Sequence, residues 1–194
     1  MFNGIIKKIG KIKSINIRNN NCILIVKSQL KFSNQEIGSS VSCSGVCLTL
    51  EKIKGKLSTF YLSKETLNRS NFNTLKKDSI INIEKSLKFG DRVSGHFVQG
   101  HVDTTATIKK INFFGKSWYI HLKILKKFKK NLIQKGSVAI NGVSLTISQI
   151  NVDGFQVVVI PQTLKLTNLM LLREKDIVNV EFDILGKYIK NFLK

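Results

Sequence analysis

Few side chains in this sequence can move a proton or attack a carbon near neutral pH. The histidines are His96, His101 and His121, and the cysteines are Cys22, Cys43 and Cys47. Imidazole is the side chain that changes charge near neutral pH, and of the three His101 is the best-suited general acid or base, worth on the order of 10²–10⁴-fold in rate when positioned. His96 reads as a structural hydrogen-bonding residue. His121, flanked by Ile120 and Leu122, reads as a strand-face residue. Cys47 offers a thiol able to serve as nucleophile or donor, although a lone cysteine is more often a small buried hydrophobe. Ser144 and Thr146 add hydroxyls, and Asp183 a carboxylate able to orient or deprotonate one of these groups. No metal is expected, because Cys43-x-x-x-Cys47 is not a usual zinc pair and no four-ligand set can be assembled.

What positions these residues is a duplication. Val41-Ser-Cys-Ser-Gly-Val-Cys-Leu-Thr-Leu50 recurs as Val138-Ala-Ile-Asn-Gly-Val-Ser-Leu-Thr-Ile147, a repeat of about 97 residues. The same offset pairs Thr66 with Thr163, Asn71 with Asn168, and Ile80–Glu84 with Ile177–Glu181. Near the start the offset is one shorter, pairing Gly4 with Gly100 and Ile12 with Ile108. Cys47 therefore occupies the register of Ser144, and Ile5 that of His101. One ligand pocket is written twice, which suits an enzyme whose two substrates are the same compound.

Each unit reads as β. Asn21–Lys27, Ser39–Cys43, Thr49–Ile53, Leu57–Tyr61 and Ser79–Ile83 are short, rich in β-branched and aromatic residues, and bounded by Gly, Asn or Ser. Ser117–Leu122, Ser137–Ile140, Leu145–Ile150, Phe155–Ile160 and Ile177–Phe182 repeat the pattern, with tight turns at Gly45 and Gly142. Five or six short strands per unit suggest a small closed barrel, which leaves no exposed edges. Helical signals are confined to Phe128–Gln134 and Lys187–Leu193, and Pro161 falls where a strand should end.

Composition narrows the function classes. The 194 residues carry 32 Lys+Arg against 12 Asp+Glu, a net charge of +20. Only Arg18, Arg69, Arg92 and Arg173 are arginine, and base-reading surfaces favour Arg for its bidentate fork, so sequence-specific nucleic-acid recognition is not expected. The excess is spread over both halves, apart from Lys126-Lys127-Phe128-Lys129-Lys130. It reads as a lysine-rich solvated surface, with salt-dependent RNA contact as the alternative. No apolar run approaches the roughly 20 residues of a membrane span. The first residues lack the apolar core of a secretory signal, so a cytoplasmic protein with reduced thiols is the expectation.

Several segments together resemble the riboflavin synthase family of the alpha-chain type. They are Met1-Phe-Asn-Gly-Ile-Ile6, Gly45-Val-Cys-Leu-Thr49, Lys64-Glu-Thr-Leu67, Gly95-His-Phe-Val-Gln-Gly-His-Val-Asp103, Asn141-Gly-Val-Ser-Leu-Thr146 and Val178-Asn-Val-Glu-Phe-Asp183. The likeness spans nearly the whole chain in order. It implies an all-β fold of tandem duplicated six-stranded Greek-key barrels with a short C-terminal helix, divided as 1–97, 98–185 and 186–194. It implies dismutation of two 6,7-dimethyl-8-ribityllumazine molecules, one donating a four-carbon unit to the other to give riboflavin and 5-amino-6-(D-ribitylamino)uracil. No metal or organic cofactor is implied. A homotrimer held by the C-terminal helix is implied, and association with lumazine synthase is raised, though the sequence is silent on it.

Carried over residue by residue, the first pocket comprises Gly4, Ile5 and Ile6, then Ser40, Cys47, Leu48 and Thr49, then Tyr61, Leu62, Ser63, Lys64, Glu65 and Thr66. The second comprises Gly100, His101 and Val102, then Ser144, Leu145 and Thr146, then Val158, Val159, Ile160, Pro161, Gln162 and Thr163. Lys135 resembles the lysine that reaches a ligand in a neighbouring subunit, and the productive site is implied to lie between barrels of two subunits. Chemistry is assigned to His101, Ser144, Cys47, Asp183 and Lys135. Two departures stand out: Gln162 replaces the carboxylate of Glu65, and the stretch after Asp183 is short for a trimerising helix. A non-catalytic lumazine- or flavin-binding protein is the alternative within this architecture.

Overall fold

The computed structural model describes residues 1–18 and 21–192. The first unit contains β1 (Lys8–Arg18), β2 (Asn21–Ser28), β3 (Ser40–Cys43), β4 (Val46–Lys54), β5 (Leu57–Leu62), the helix α1 (Lys64–Arg69) and β6 (Ile80–Lys85). The second contains β7 (Thr104–Phe114), β8 (Ser117–Lys123), β9 (Ser137–Ile140), β10 (Val143–Ile150), β11 (Gly154–Val159), α2 (Pro161–Leu166) and β12 (Ile177–Phe182). The helix α3 (Ile184–Phe192) follows. Every strand pairs antiparallel, and each unit closes into a six-stranded barrel in the order β1-β2-β5-β4-β3-β6 or its counterpart β7-β8-β11-β10-β9-β12.

Closure has a local cause that the duplication repeats. Ladder register shifts occur between Ile12 and Ser14 and between Leu50 and Lys52, and again between Ile108 and Lys110 and between Ile147 and Gln149. Such bulges bend a strand and increase its twist, which is what a six-stranded barrel needs to close. The β3–β4 and β9–β10 hairpins turn on Ser44-Gly45 (φ 45° and 79°) and Asn141-Gly142 (φ 47° and 77°). Two successive left-handed residues are the type I′ signature that matches strand twist.

Each barrel fills itself. Leu24, Val26, Leu50, Phe60, Leu62 and Ile81 are fully buried in the first, and Val138, Phe155, Val159, Val178 and Val180 are almost so or fully in the second. Between them lies a polar, pseudo-symmetric seam. Asn82 Nδ2 donates to the Asn141 carbonyl (2.9 Å), and Asn179 Nδ2 donates to the Ser44 carbonyl (2.8 Å). The Asn71 N–H donates to Asn179 Oδ1, and the Asn168 N–H to Asn82 Oδ1, both at 2.7 Å. The two hairpin turns meet back to back. A Cβ on Gly45 would stand 2.6 Å from the Gly142 nitrogen, so neither glycine tolerates a side chain.

The structure departs from the sequence reading in its helices and its longest strands. Phe128–Gln134 is not an α-helix but lies beside and within a 3-10 turn over Lys126–Asn131. The terminal helix begins at Ile184, three residues before the expected Lys187, and Leu193 lies outside the described residues. Pro161 does follow a strand end, but it also opens α2, where its missing N–H costs nothing. Among the described residues no helix is long and apolar enough to cross a membrane.

Candidate functional site

The two pockets are assembled crosswise. The Gly4 carbonyl accepts from the Ser144 N–H (2.8 Å), so the N-terminal segment lies on the second barrel. The Gly100 carbonyl accepts from the Cys47 N–H (2.8 Å), so the linking segment lies on the first. Ile6 packs into the second core and Val102 against the first. This corrects the expected grouping: Gly4, Ile5 and Ile6 belong with Ser144, Leu145 and Thr146, and Gly100, His101 and Val102 belong with Cys47, Leu48 and Thr49. Equal offsets in the sequence relate equivalent residues but carry no information on which copy each strap covers.

The two straps run antiparallel, joined by the Phe2 N–H to the Val98 carbonyl (2.7 Å) and the Val98 N–H to the Phe2 carbonyl (3.1 Å). Phe2 and Val98 are fully buried together with Ala139. Gly4 (φ +71°) and Gly100 (φ +80°) are conformationally required. A Cβ on either would stand 2.7 Å from the Cβ of Ser144 or of Cys47.

The first-barrel cleft, about 440 Å³, is lined by Cys47, Glu65, Thr66, Arg69, Gly100, His101, Val102 and Asp103, with Phe128 and Lys187 from the second unit and the tail. Glu65 and Arg69 form an ion pair one helical turn apart on α1. Asp103 Oδ2 accepts from the Phe182 N–H (2.9 Å) and pairs with Lys187 Nζ (2.7 Å), tying this rim to β12 and α3. The second-barrel cleft, about 360 Å³, is lined by Lys135, Ser144, Leu145, Thr146, Ser148, Val158, Ile160 and Thr163. A larger cleft of about 750 Å³ lies elsewhere among lysines, with neither Cys47 nor Ser144 on its walls.

The remaining expected residues support rather than line these walls. Leu48, Leu62 and Val159 are core residues. Ser40 pairs with Thr49 across β3–β4, and Ser63 caps α1 by accepting from the Thr66 N–H (3.2 Å). Tyr61, Lys64, Pro161 and Gln162 are exposed around the two short helices.

The family whose pattern matches is the lumazine binding domain, over residues 3–86 and again over 99–183. Riboflavin synthase of Actinobacillus pleuropneumoniae is 35% identical over 193 residues, covering 100% of this chain and 90% of that protein. The Bacillus subtilis (strain 168) riboflavin synthase is 35% identical over 196 residues, with the same coverage of 100% and 90%. The chain belongs to the riboflavin synthase family. It is an enzyme of that family, with two lumazine-binding domains. Among solved structures, LumP complexed with 6,7-dimethyl-8-(1'-D-ribityl) lumazine has a TM-score of 0.81 at 25% identity, covering 93% of this chain and 98% of that one. LumP complexed with riboflavin has the same TM-score at 26% identity, covering 94% and 99%.

Within this riboflavin synthase-family chain, one imidazole–hydroxyl pair stands out, and its histidine is His96, which reads from the sequence as a structural hydrogen-bonding residue. His96 Nδ1 lies 2.7 Å from Ser144 Oγ, and the imidazole is buried with Nε2 unpaired among the described residues. Burial lowers the His96 pKa below its ordinary 6.5, with Asp183 opposing the shift through its charge. The imidazole is therefore neutral at pH 7, the form able to accept a proton. Gly95 permits this approach, since a Cβ there would meet Ser144 Oγ at 2.9 Å and the Asn3 carbonyl at 2.1 Å. His101, by contrast, is exposed on the rim of the first cleft. In the sequence only the Gly-His repetition within Gly95–Val102 hinted at two such histidines. Proximity of His96 to Ser144 is a tertiary fact that the sequence does not carry.

Proposed function

We propose that the chain binds one 6,7-dimethyl-8-ribityllumazine in each kind of pocket and transfers a four-carbon unit between them, yielding riboflavin and 5-amino-6-(D-ribitylamino)uracil. The observation that carries the reading is a doubled cleft with the imidazole–hydroxyl pair His96–Ser144 in one copy. The lumazine ring is electron-poor, and its C7 methyl group is acidic. A neutral, desolvated His96 relayed through Ser144 suits removal of that methyl proton, while Cys47 and His101 border the partner molecule. Orienting two bound rings is the larger share of the barrier, since effective molarity contributes roughly 7–11 kcal/mol. Asp183 steadies the charge His96 acquires, and Lys135, Thr146 and Thr163 supply polar contacts in the second cleft.

The proposed assembly is a homotrimer that brings a first-barrel cleft of one subunit against a second-barrel cleft of another. The tail supports an oligomer: Leu185, Tyr188, Ile189 and Phe192 of α3 are 57%, 57%, 60% and 82% exposed at helical spacing. Such an apolar stripe is costly in water unless covered. Cys22, Cys43 and Cys47 carry free thiols, in keeping with a cytoplasmic site of action. Association with lumazine synthase, whose product is the substrate of the proposed reaction, belongs to the same reading.

Incubation of the purified chain with the lumazine alone tests the proposal. Two lumazines consumed per riboflavin formed is the expected result. Tight fluorescent binding without turnover would instead make this a lumazine-binding protein like LumP. Sedimentation of a chain ending at Asp183 tests the role of α3, and retention of the trimer would remove it.

A further inference from the structure

The crosswise pockets depend on two carboxylates that the chemistry above does not use. Glu181, at the end of β12, is 2% exposed and lies on the face opposite the core residues Val180 and Phe182, toward the linking strap. Its Oε1 accepts from the Gln99 N–H (2.7 Å), and its Oε2 from the N–H groups of Gly100 (2.8 Å) and His101 (3.0 Å). Glu84, at the same place on β6, accepts from the Asn3 N–H (2.9 Å) and the Gly4 N–H (3.1 Å), with the Ile5 N–H also donating to it. Each barrel therefore holds its own entry strap with the carboxylate of its own last strand. The strap then reaches across to close the pocket of the other barrel.

We propose that Glu84 and Glu181 are positioning residues acting crosswise: Glu181 sets the first-barrel pocket and Glu84 the second-barrel pocket. The physical case rests on geometry. Consecutive main-chain N–H groups that converge on one carboxylate fix both the height and the rotation of the strap. The carbonyl of the clamped glycine then accepts from the backbone N–H of Cys47 or Ser144, so the clamp and the backbone that carries that side chain are one hydrogen bond apart. The glycines leave little slack, because a Cβ on either would stand only 2.7 Å from the Cβ of Ser144 or Cys47. On the first-barrel side the clamp also holds the His101 backbone, and thereby the direction of its imidazole.

A buried carboxylate whose only task was to stabilise its own barrel would act on that barrel. The strap geometry requires the effect to appear on the other one. Glutamine is nearly isosteric with glutamate but presents an NH₂ in place of one acceptor oxygen, so it cannot receive all the converging donors and sets a donor against at least one of them. The inference rests on the proposed lumazine and riboflavin binding only for its liganded arm.

Hydrogen–deuterium exchange read by mass spectrometry on the full-length chain tests it, with and without riboflavin. In the free protein, Glu181→Gln is expected to speed exchange at residues 99–101 and at Cys47 by about tenfold or more. The 3–5 segment and Ser144 should remain unchanged. Glu84→Gln should give the mirror result. Riboflavin protection at 47–49 should be lost in Glu181→Gln and retained at 144–146, and the reverse in Glu84→Gln. If either variant fails to fold, Glu→Asp, which withdraws the acceptors by one methylene, takes its place with the same readout. Loosening confined to the variant's own barrel, or equal loosening of both straps, overturns the proposal. Riboflavin protecting neither pocket of the unaltered protein would count against the proposed function, while the exchange rates of the free protein would still decide the clamp.

Discussion

The two clefts are products of one duplication, yet they differ at the position where chemistry is expected. In the second, Ser144 carries a buried imidazole at 2.7 Å and is covered by a strap bearing the inert Ile5. In the first, Cys47 stands in the same register with no imidazole within hydrogen-bonding distance among the described residues, under a strap bearing His101. Fold, strap geometry, required glycine and clamping carboxylate are all shared. What differs is whether a base is desolvated against a hydroxyl. Under the proposed function, this difference would let one pocket activate its occupant while the other holds one, as a reaction between two copies of one compound requires.

Breaking the imidazole–hydroxyl pair should have the largest effect. Ser144→Ala and His96→Ala are expected to lower kcat by about 10²–10⁴-fold with riboflavin binding retained, while His101→Ala costs about tenfold or less. Single-turnover kinetics at saturating lumazine would measure all three. A His101→Ala loss as large as that of His96→Ala would reverse the assignment of the two clefts. The pH dependence carries a sign. The folded-state pKa of His96 lies below the ordinary 6.5 because burial disfavours its charge. The unfolded chain therefore takes up the proton first on acidification. The stability due to this group is complete above pH 6.5 and declines as pH falls through the folded-state value. Rate should follow the same acid limb, and Asp183→Asn, which removes the opposing charge, should move that limb to lower pH.

The glycines of the straps offer the next largest effect, and a direct comparison of the copies. Gly100→Ala forces a side chain into a left-handed backbone with a Cβ 2.7 Å from that of Cys47, at a cost of about 1–3 kcal/mol in strain alone. Riboflavin affinity should fall at the first cleft only, and Gly4→Ala should lower it at the second only. Titration calorimetry resolving two binding events would separate them. Equal losses at both events in each variant would mean that the straps communicate rather than act locally.

Much of this is legible in the sequence alone. Period-two runs such as Ile81-Asn82-Ile83 and the Ser44-Gly45 and Asn141-Gly142 turns specify strands and hairpins locally, and the repeat supplied the two-barrel architecture. The longest strands, β1 and β7, carry no clear strand signal because lysines interrupt them: Lys8, Lys11 and Lys13 in one, Lys109 and Lys110 in the other. Their stems lie on the outer faces of closed barrels, where a charge costs little. The crosswise straps were not legible. Their partners, Gly4 with Ser144 and Gly100 with Cys47, are set by a contact across the barrel seam, and either pairing satisfies the same sequence symmetry. The partner of His96 is not legible in the sequence for the same reason, since Ser144 lies 48 positions away.

The smallest effect sharpens the comparison most. Cys47→Ser makes the first cleft match the second at its central side chain while supplying no imidazole to it. If the difference between the clefts lies in the His96–Ser144 pair and not in hydroxyl against thiol, the substitution should leave kcat within about fivefold. It should also leave the acid limb unmoved, because a hydroxyl without an adjacent base is not activated. Riboflavin affinity should be nearly preserved, since the Cys47 N–H that holds Gly100 is a backbone group. A loss approaching that of Ser144→Ala would instead place a thiolate at the centre of the reaction. Both clefts would then be catalytic, and the asymmetry inferred from one hydrogen bond would have to be abandoned.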